Sequence, residues 1–263
     1  MSGVIACIPA RFGSTRLPGK PLLPVDGEPM IAHVVRAARA ARSVGRVLVG
    51  TDHAGVAAAA RAAGAEAVMT DPALPSGTDR VAAALAAVGA SAEIVVNVQG
   101  DEPRVAPSAI DAVVGVMRAA PRADVGTLSA PLPAGALLDA SRVKVVCRRD
   151  DGDGDGVWRA LYFSRAPIGA DREALGALLG GGGSADDAFA PPLCRLHVGL
   201  YAFRAAALRR FVALPPSALE RVERLEQLRA LEAGMAIAVG EVDGHAPGVD
   251  TPGDLLRAQS AVR

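Results

Sequence analysis

The sequence predicts an α/β fold built on a largely parallel sheet covered on both faces. Three observations lead there. Short apolar runs of strand length alternate with helical stretches through the first half of the chain. The run Glu93–Val98 is nearly continuously apolar, as a strand buried on both faces must be. The length, 263 residues, suits one large α/β domain or a domain with a small lobe.

The first strand is Val4–Pro9. It breaks into a loop carrying Gly13, Gly19 and three cations, Arg11, Arg16 and Lys20. Such a loop between a strand and a helix suits a polyphosphate. It is not a P-loop: the glycine spacing is one residue too long, and Pro21 stands where a hydroxyl is needed. No G-x-G-x-x-G is present. A helix is expected from Pro29 to about Arg42, with Ile31, Val34, Val35 and Ala38 on one face.

Arg46–Gly50 reads as the second strand and ends at Thr51-Asp52-His53. Asp52 is the expected cap of an Ala-rich helix from Ala54, which Gly64 ends. His53 reads as a helix-entry residue, with no second metal ligand nearby. Glu66–Met69 is a third strand. Pro75-Ser76-Gly77-Thr78-Asp79-Arg80 leads into a helix over Val81–Val88, and its hydroxyls and carboxylate suit capping. The central strand Glu93–Val98 runs into Gln99-Gly100-Asp101-Glu102-Pro103, at the strand end where ligands collect in open α/β sheets. Asp101 there suits a turn, a cap or a hard divalent cation.

Pro107–Ala119 is a further helix and Asp124–Ser129 a further strand. Val143–Cys147 and Trp158–Phe163 read as two strands. The Asp/Gly run between them, Asp150 to Gly156, begins like an EF-hand loop. Its twelfth position is Tyr162 where a bidentate Glu is required, so a solvated hairpin turn is expected. Gly180–Ser184 reads as a flexible loop. Leu196–Phe203 alternates as a strand, which puts His197 and Tyr201 on one face. Ser217–Glu232 reads as one helix with an apolar stripe through Leu219, Val222, Leu225, Leu228 and Leu231. Ala236–Val242 is the last strand, and Asp250 is placed to cap a C-terminal helix.

Composition excludes several classes. The formal net charge is zero and aromatics are 3%, which argues against nucleic-acid binding. Cys7, Cys147 and Cys194 form no C-x-x-C pair and the four His are scattered, which argues against structural zinc or a disulfide framework. The N-terminal apolar run lacks a preceding cationic region, and no run reaches bilayer-spanning length, so a soluble cytoplasmic protein without membrane contact is expected.

The stretch I-P-A-R-F-G-S-T-R-L-P-G-K-P-L, Ile8–Leu22, closely resembles the opening of the 3-deoxy-manno-octulosonate (Kdo) cytidylyltransferases. The resemblance continues in order through Pro75–Arg80, Val96–Pro103, Val143–Val146, Tyr162–Arg165, Leu225–Arg229 and Gly248–Pro252. It implies a mixed α/β nucleotide-diphospho-sugar-transferase fold over residues 1–263, its sheet mostly parallel, with a smaller antiparallel lobe. The CTP-binding part would be about 1–130 and 235–263, and the acceptor and dimer lobe about 131–234. It implies bacterial CMP-Kdo synthesis for lipopolysaccharide from CTP and Kdo, with release of pyrophosphate, Mg²⁺ as cofactor and a homodimer. Pro9, Ala10, Arg11, Arg16, Lys20, Ser76, Gly77, Arg80 and Asp101 would bind CTP. Arg11, Arg16 and Lys20 would neutralise the triphosphate, and Asp101 and Asp250 would hold Mg²⁺. Gln99, Arg165, Arg172, His197, Tyr201, Glu226 and Gln227 would bind the acceptor. No side-chain general base is assigned.

The acceptor half departs from the family pattern. Ile168-Gly169-Ala170 replaces Ile-Pro and an aromatic, Leu196 stands where an Arg usually precedes the strand His, and Leu231-Glu232-Ala233 replaces an aromatic-containing stretch. Two rivals follow: the same CMP transfer to a smaller carboxylate or phosphonate acid, and a nucleotide-sensing protein on this fold. Asp101, Asp250 and Lys20 speak against the second.

Overall fold

The computed structural model describes residues 3–13, 17–133, 135–149, 154, 156–184, 194–244 and 246–260. In chain order come β1 (Val4–Pro9), a small hairpin of β2 (Pro24–Val25) and β3 (Glu28–Pro29), α1 (Met30–Ala40), β4 (Arg46–Thr51), α2 (Ala54–Ala62), β5 (Glu66–Met69), α3 (Gly77–Ala87), β6 (Ile94–Asn97) and α4 (Pro107–Ala119). There follow β7 (Val125–Ala130), β8 (Lys144–Arg149), β9 (Trp158–Ser164), α5 (Arg172–Leu179), β10 (Cys194–Arg204), α6 (Ala205–Val212), α7 (Ala218–Glu223), α8 (Gln227–Glu232), β11 (Ile237–Glu241) and α9 (Pro252–Ser260).

The chain forms two compact units. The first comprises Met1–Val114, Leu200–Val212 and His245–Arg263. Its strands run β5-β4-β1-β6, all parallel, with Tyr201–Arg204 of β10 antiparallel against β6. Parallel neighbours need crossovers, and the intervening helices supply them. β1 sits between β4 and β6, so Val4, Ile5, Ala6, Cys7 and Ile8 are all buried. Each fully buried Ile or Val contributes about 1.5–3 kcal/mol. Helix α1 buries Ile31, Val34, Val35 and Ala38, the stripe that the sequence predicts, and Met30 with them.

The second unit comprises Gly115–Gly199 and Ala213–Gly244. Here β7 and β11 are parallel, while β11–β9, β9–β8 and the Cys194–Leu196 end of β10 on β8 are antiparallel. The strand pairing is therefore mixed, and the mostly parallel expectation holds only in the first unit. The short β8–β9 connection is the reason: antiparallel neighbours need no crossover helix. The Asp/Gly run between them lies outside the described residues except for Gly154 and Gly156.

Three local expectations need correction. The helix predicted over Ser217–Glu232 is two helices, because Arg224 adopts φ 54°, ψ 47°. The break follows from Glu223, whose carboxylate accepts from Ser164 Oγ at 2.6 Å and Arg165 N at 3.0 Å while its carbonyl accepts from Arg165 Nε at 2.9 Å. The cap of α2 is His53, whose Nδ1 accepts from Gly55 N at 3.2 Å. Asp52 is engaged elsewhere, accepting from Phe12 N at 2.8 Å. Helix α9 is capped by Thr251 and Asp254 rather than Asp250. The glycines from Gly180 close α5, with Gly182 N donating to Ala177 O at 2.9 Å. Among the described residues no helix is long and apolar enough to cross a membrane.

Candidate active site

The carboxyl ends of β1 and β6 meet the loop before α3 in the first unit. Two glycines permit the approach. A Cβ on Gly100 would lie 2.7 Å from the Pro9 carbonyl oxygen, and one on Gly77 would lie 3.3 Å from the Pro9 ring. The resulting cleft, about 330 Å³, is lined by Pro9, Ala10, Arg11, Lys20, Ser76, Gly77, Arg80, Gln99, Gly100, Asp101 and Asp250, together with Pro21, Leu74 and Pro75. Every predicted CTP-side residue except Arg16 is in that lining. Arg16 lies outside the described residues.

Lys20 is set by its local backbone. Gly19 takes φ 69°, a left-handed conformation open to glycine, and starts the short turn Lys20–Leu22. The ammonium then reaches Asp101 Oδ2 at 2.6 Å, Asp250 Oδ1 at 3.0 Å and the Val249 carbonyl at 2.9 Å. Val249 N donates to Asp101 O at 2.8 Å, which ties the two acidic loops together. Lys20 is 14% exposed, Asp101 32% and Asp250 49%, so the carboxylates open toward solvent while the lysine lies beneath. Two carboxylates already converge on one cation. An all-oxygen donor pair fits Mg²⁺, which binds through one or two carboxylates with phosphates and water filling its shell. Among the described residues no group of three or more His, Cys, Asp or Glu side chains is placed to hold a metal.

The rest of the cleft is rigidly held. Ser76 caps α3, its Oγ accepting from Asp79 N at 3.2 Å. Arg80 is buried, its Nη1 donating to Thr70 Oγ1 at 2.6 Å and its Nη2 lying 3.7 Å from Asp52 Oδ2. Asn97 Nδ2 donates to Thr78 Oγ1 at 3.2 Å, so β6 is pinned to α3 just below Gln99. His53 stacks on Phe12 with ring centroids 3.8 Å apart, which steadies the loop after β1.

The predicted acceptor residues divide between the units. Gln99 and Tyr201 belong to the first, where Tyr201 pairs in register with Asn97. Arg165, Arg172, His197, Glu226 and Gln227 belong to the second. Arg165 is held by Glu223 and by the Ala140 carbonyl, 3.0 Å from its Nη1. Arg172 is the exposed first residue of α5, a helix that sequence reading did not assign. His197 Nε2 lies 3.0 Å from Thr127 Oγ1. Glu226 precedes α8, and Gln227 is buried with no hydrogen-bond partner at Nε2 among the described residues. Sequence reading missed Lys144, whose buried ammonium donates to the carbonyls of Asp139, Arg142 and Arg165 at 3.0, 2.8 and 2.6 Å. Burial pushes its pKa down. A lysine in an apolar strand was the available signal.

The chain matches the family model described as Cytidylyltransferase over residues 5–237. It is 50% identical over 260 residues to a 3-deoxy-manno-octulosonate cytidylyltransferase of Anaeromyxobacter dehalogenans, covering 99% of this chain and 98% of that protein. A protein of the same name from Bdellovibrio bacteriovorus is 42% identical over 256 residues, covering 97% and 96%. A solved CMP:2-keto-3-deoxy-manno-octonic acid synthetase complexed with CTP superimposes with a TM-score of 0.84 at 38% identity, covering 98% of this chain and 97% of that one.

Proposed function

This chain is a member of the cytidylyltransferase family, and we propose that it transfers CMP from CTP to Kdo, releasing pyrophosphate. The observation that carries the reading is Lys20 gathered with Asp101 and Asp250 at the mouth of a glycine-bounded cleft. The cleft takes the nucleotide. Ser76 and Gly77 offer small side chains and helix-terminal amides to the base. Arg11 and Lys20 lie where the triphosphate would run, and their charge would offset that which builds on the departing pyrophosphate. An anomeric hydroxyl attacking the α-phosphorus in line needs positioning and charge neutralisation more than covalent help.

Asp101 and Asp250 would hold Mg²⁺, which supplies further charge neutralisation on phosphate oxygens when bound. Lys20 would then release the carboxylates and turn its ammonium to the phosphates. Of the residues that the resemblance assigns to the acceptor, Arg165, Arg172, His197, Glu226 and Gln227 of the second unit would receive the sugar acid, the arginines supplying the charge that suits its carboxylate. A cytoplasmic homodimer belongs to the same reading. The exposed apolar Leu161 and Val222 of the second unit support the dimer, and light scattering tests it.

The test is direct. Incubation with CTP, Kdo and Mg²⁺ should yield CMP-Kdo and pyrophosphate by ³¹P NMR. Unchanged CTP in the presence of folded protein would overturn the reading.

A further inference from the structure

Two groups of the second unit meet the hydroxyl of Thr127. Thr127 Oγ1 lies 3.0 Å from His197 Nε2 and 3.1 Å from the Val198 carbonyl oxygen. Thr127 is completely buried on β7, between its strand neighbours. A hydroxyl carries one proton, a carbonyl oxygen only accepts, and an imidazole nitrogen either donates or accepts. One arrangement makes both contacts hydrogen bonds. Thr127 gives its proton to Val198 O, and His197 Nε2–H donates to Thr127 Oγ1. The reverse would face a lone pair on Thr127 against the carbonyl oxygen, inside a buried site where an unmade bond is expensive. Phe163 fixes the ring plane as well, meeting the imidazole edge to face with centroids 4.9 Å apart at 75°.

We propose that Thr127 is a positioning residue for the acceptor side of the reaction, holding His197 as its Nε2–H tautomer. In the neutral ring, whatever meets Nδ1 then meets a lone pair. That nitrogen then accepts a hydrogen bond from a hydroxyl rather than donating one. The inference rests on the reading that His197 serves the Kdo acceptor. The Thr127 geometry itself does not.

The experiment uses the full chain labelled with ¹⁵N-histidine at about pH 8, above the ordinary histidine range. His197→Gln assigns the His197 signals. The wild type should show the Nε2–H pattern. Thr127→Ser should keep it, and the isosteric Thr127→Val should lose it. In steady-state assays Thr127→Val should raise KM for Kdo about tenfold, the loss of one oriented hydrogen bond. KM for CTP should stay within about twofold, and Thr127→Ser should restore Kdo binding. An Nδ1–H pattern in the wild type, or an unchanged pattern in folded Thr127→Val, overturns the role of Thr127. A tautomer that shifts as expected while both Thr127→Val and His197→Gln leave KM for Kdo unaltered overturns the link from His197 to the acceptor.

Discussion

The Lys20 ammonium lies 2.6 Å from the Asp101 carboxylate, 81 positions along the chain, and closes the end of the cleft at the carboxyl ends of β1 and β6. The pair is one-third exposed at most, so its Coulomb attraction is moderated by solvent. Its importance lies in placement. It sets a cation where phosphate charge would develop and an anion where a metal would bind.

Lys20→Met should keep the fold and lower kcat by about 100-fold or more, the usual cost of a lost charge contact in a transition state. Circular dichroism establishes folding and a pyrophosphate assay gives the rate. Near-normal turnover by the folded variant would remove Lys20 from the mechanism.

Asp101→Asn and Asp250→Asn should each raise the Mg²⁺ concentration for half-maximal activity by about tenfold or more, because each removes one of two anionic ligands. The two loops are joined by the Val249–Asp101 backbone bond, so neither change should unfold the site. If both variants retain the wild-type Mg²⁺ dependence, the shared metal site is wrong.

Arg80→Met should cost about 2–3 kcal/mol of stability, since it leaves Asp52 and Thr70 facing an apolar side chain in a buried setting. The loss would appear in a urea melt. A fully stable variant would show that the arginine serves the ligand alone.

Much of this was legible along the chain. The strand–helix alternation, the buried strand before Gln99 and the Ser76 cap depend on local pattern and came through. What stayed hidden depends on partners distant in sequence. Arg224 breaks a good helical stripe because Glu223 is drawn to Ser164 and Arg165, some 58 residues away. Lys144 reads as an odd residue in a strand until three carbonyls close around it. Thr127 sits in an ordinary apolar run, and only the fold brings it to His197.

Acid should weaken the second unit through Glu220. Burial pushes this carboxyl up, but hydrogen bonds from Arg229 and Ser217 N and the nearby charges of Arg229 and Arg221 outweigh it, leaving it below its ordinary 4.5. Arg229 donates to both Glu220 oxygens, at 2.8 and 2.6 Å. A carboxyl depressed on folding contributes stability that is complete above its unfolded pKa. That contribution is lost as pH falls from about 4.5 through the folded value. Glu220→Gln should therefore be less stable than wild type near neutrality, with the gap narrowing below that point. Urea midpoints across the range measure it, and a gap constant with pH would rule the pair out as the cause.

The acceptor is decided by what the departures from the family pattern do in the fold. Gly169 adopts φ 65°, and a Cβ there would lie 2.9 Å from Cys194 Cβ and 3.0 Å from Val146 Cγ2. It is glycine because the turn packs against β8 and β10. Glu232 accepts from Ser217 Oγ at 2.5 Å and Leu219 N at 2.9 Å, which secures the start of α7. Leu196 pairs with Lys144 in the β10–β8 register. These three positions have structural partners of their own, so their change does not argue for a smaller acid. Arg165, Arg172, His197 and Gln227 of the second unit would still offer partners to a carboxylate and several hydroxyls. Gln227 carries a buried Nε2 without a partner among the described residues. With CTP and Mg²⁺, pyrophosphate release should be fastest with Kdo, slower with a sialic acid and slowest with small phosphonates at equal concentration. Rapid release with a phosphonate and none with Kdo would reverse the choice of acceptor while leaving cytidylyl transfer in place.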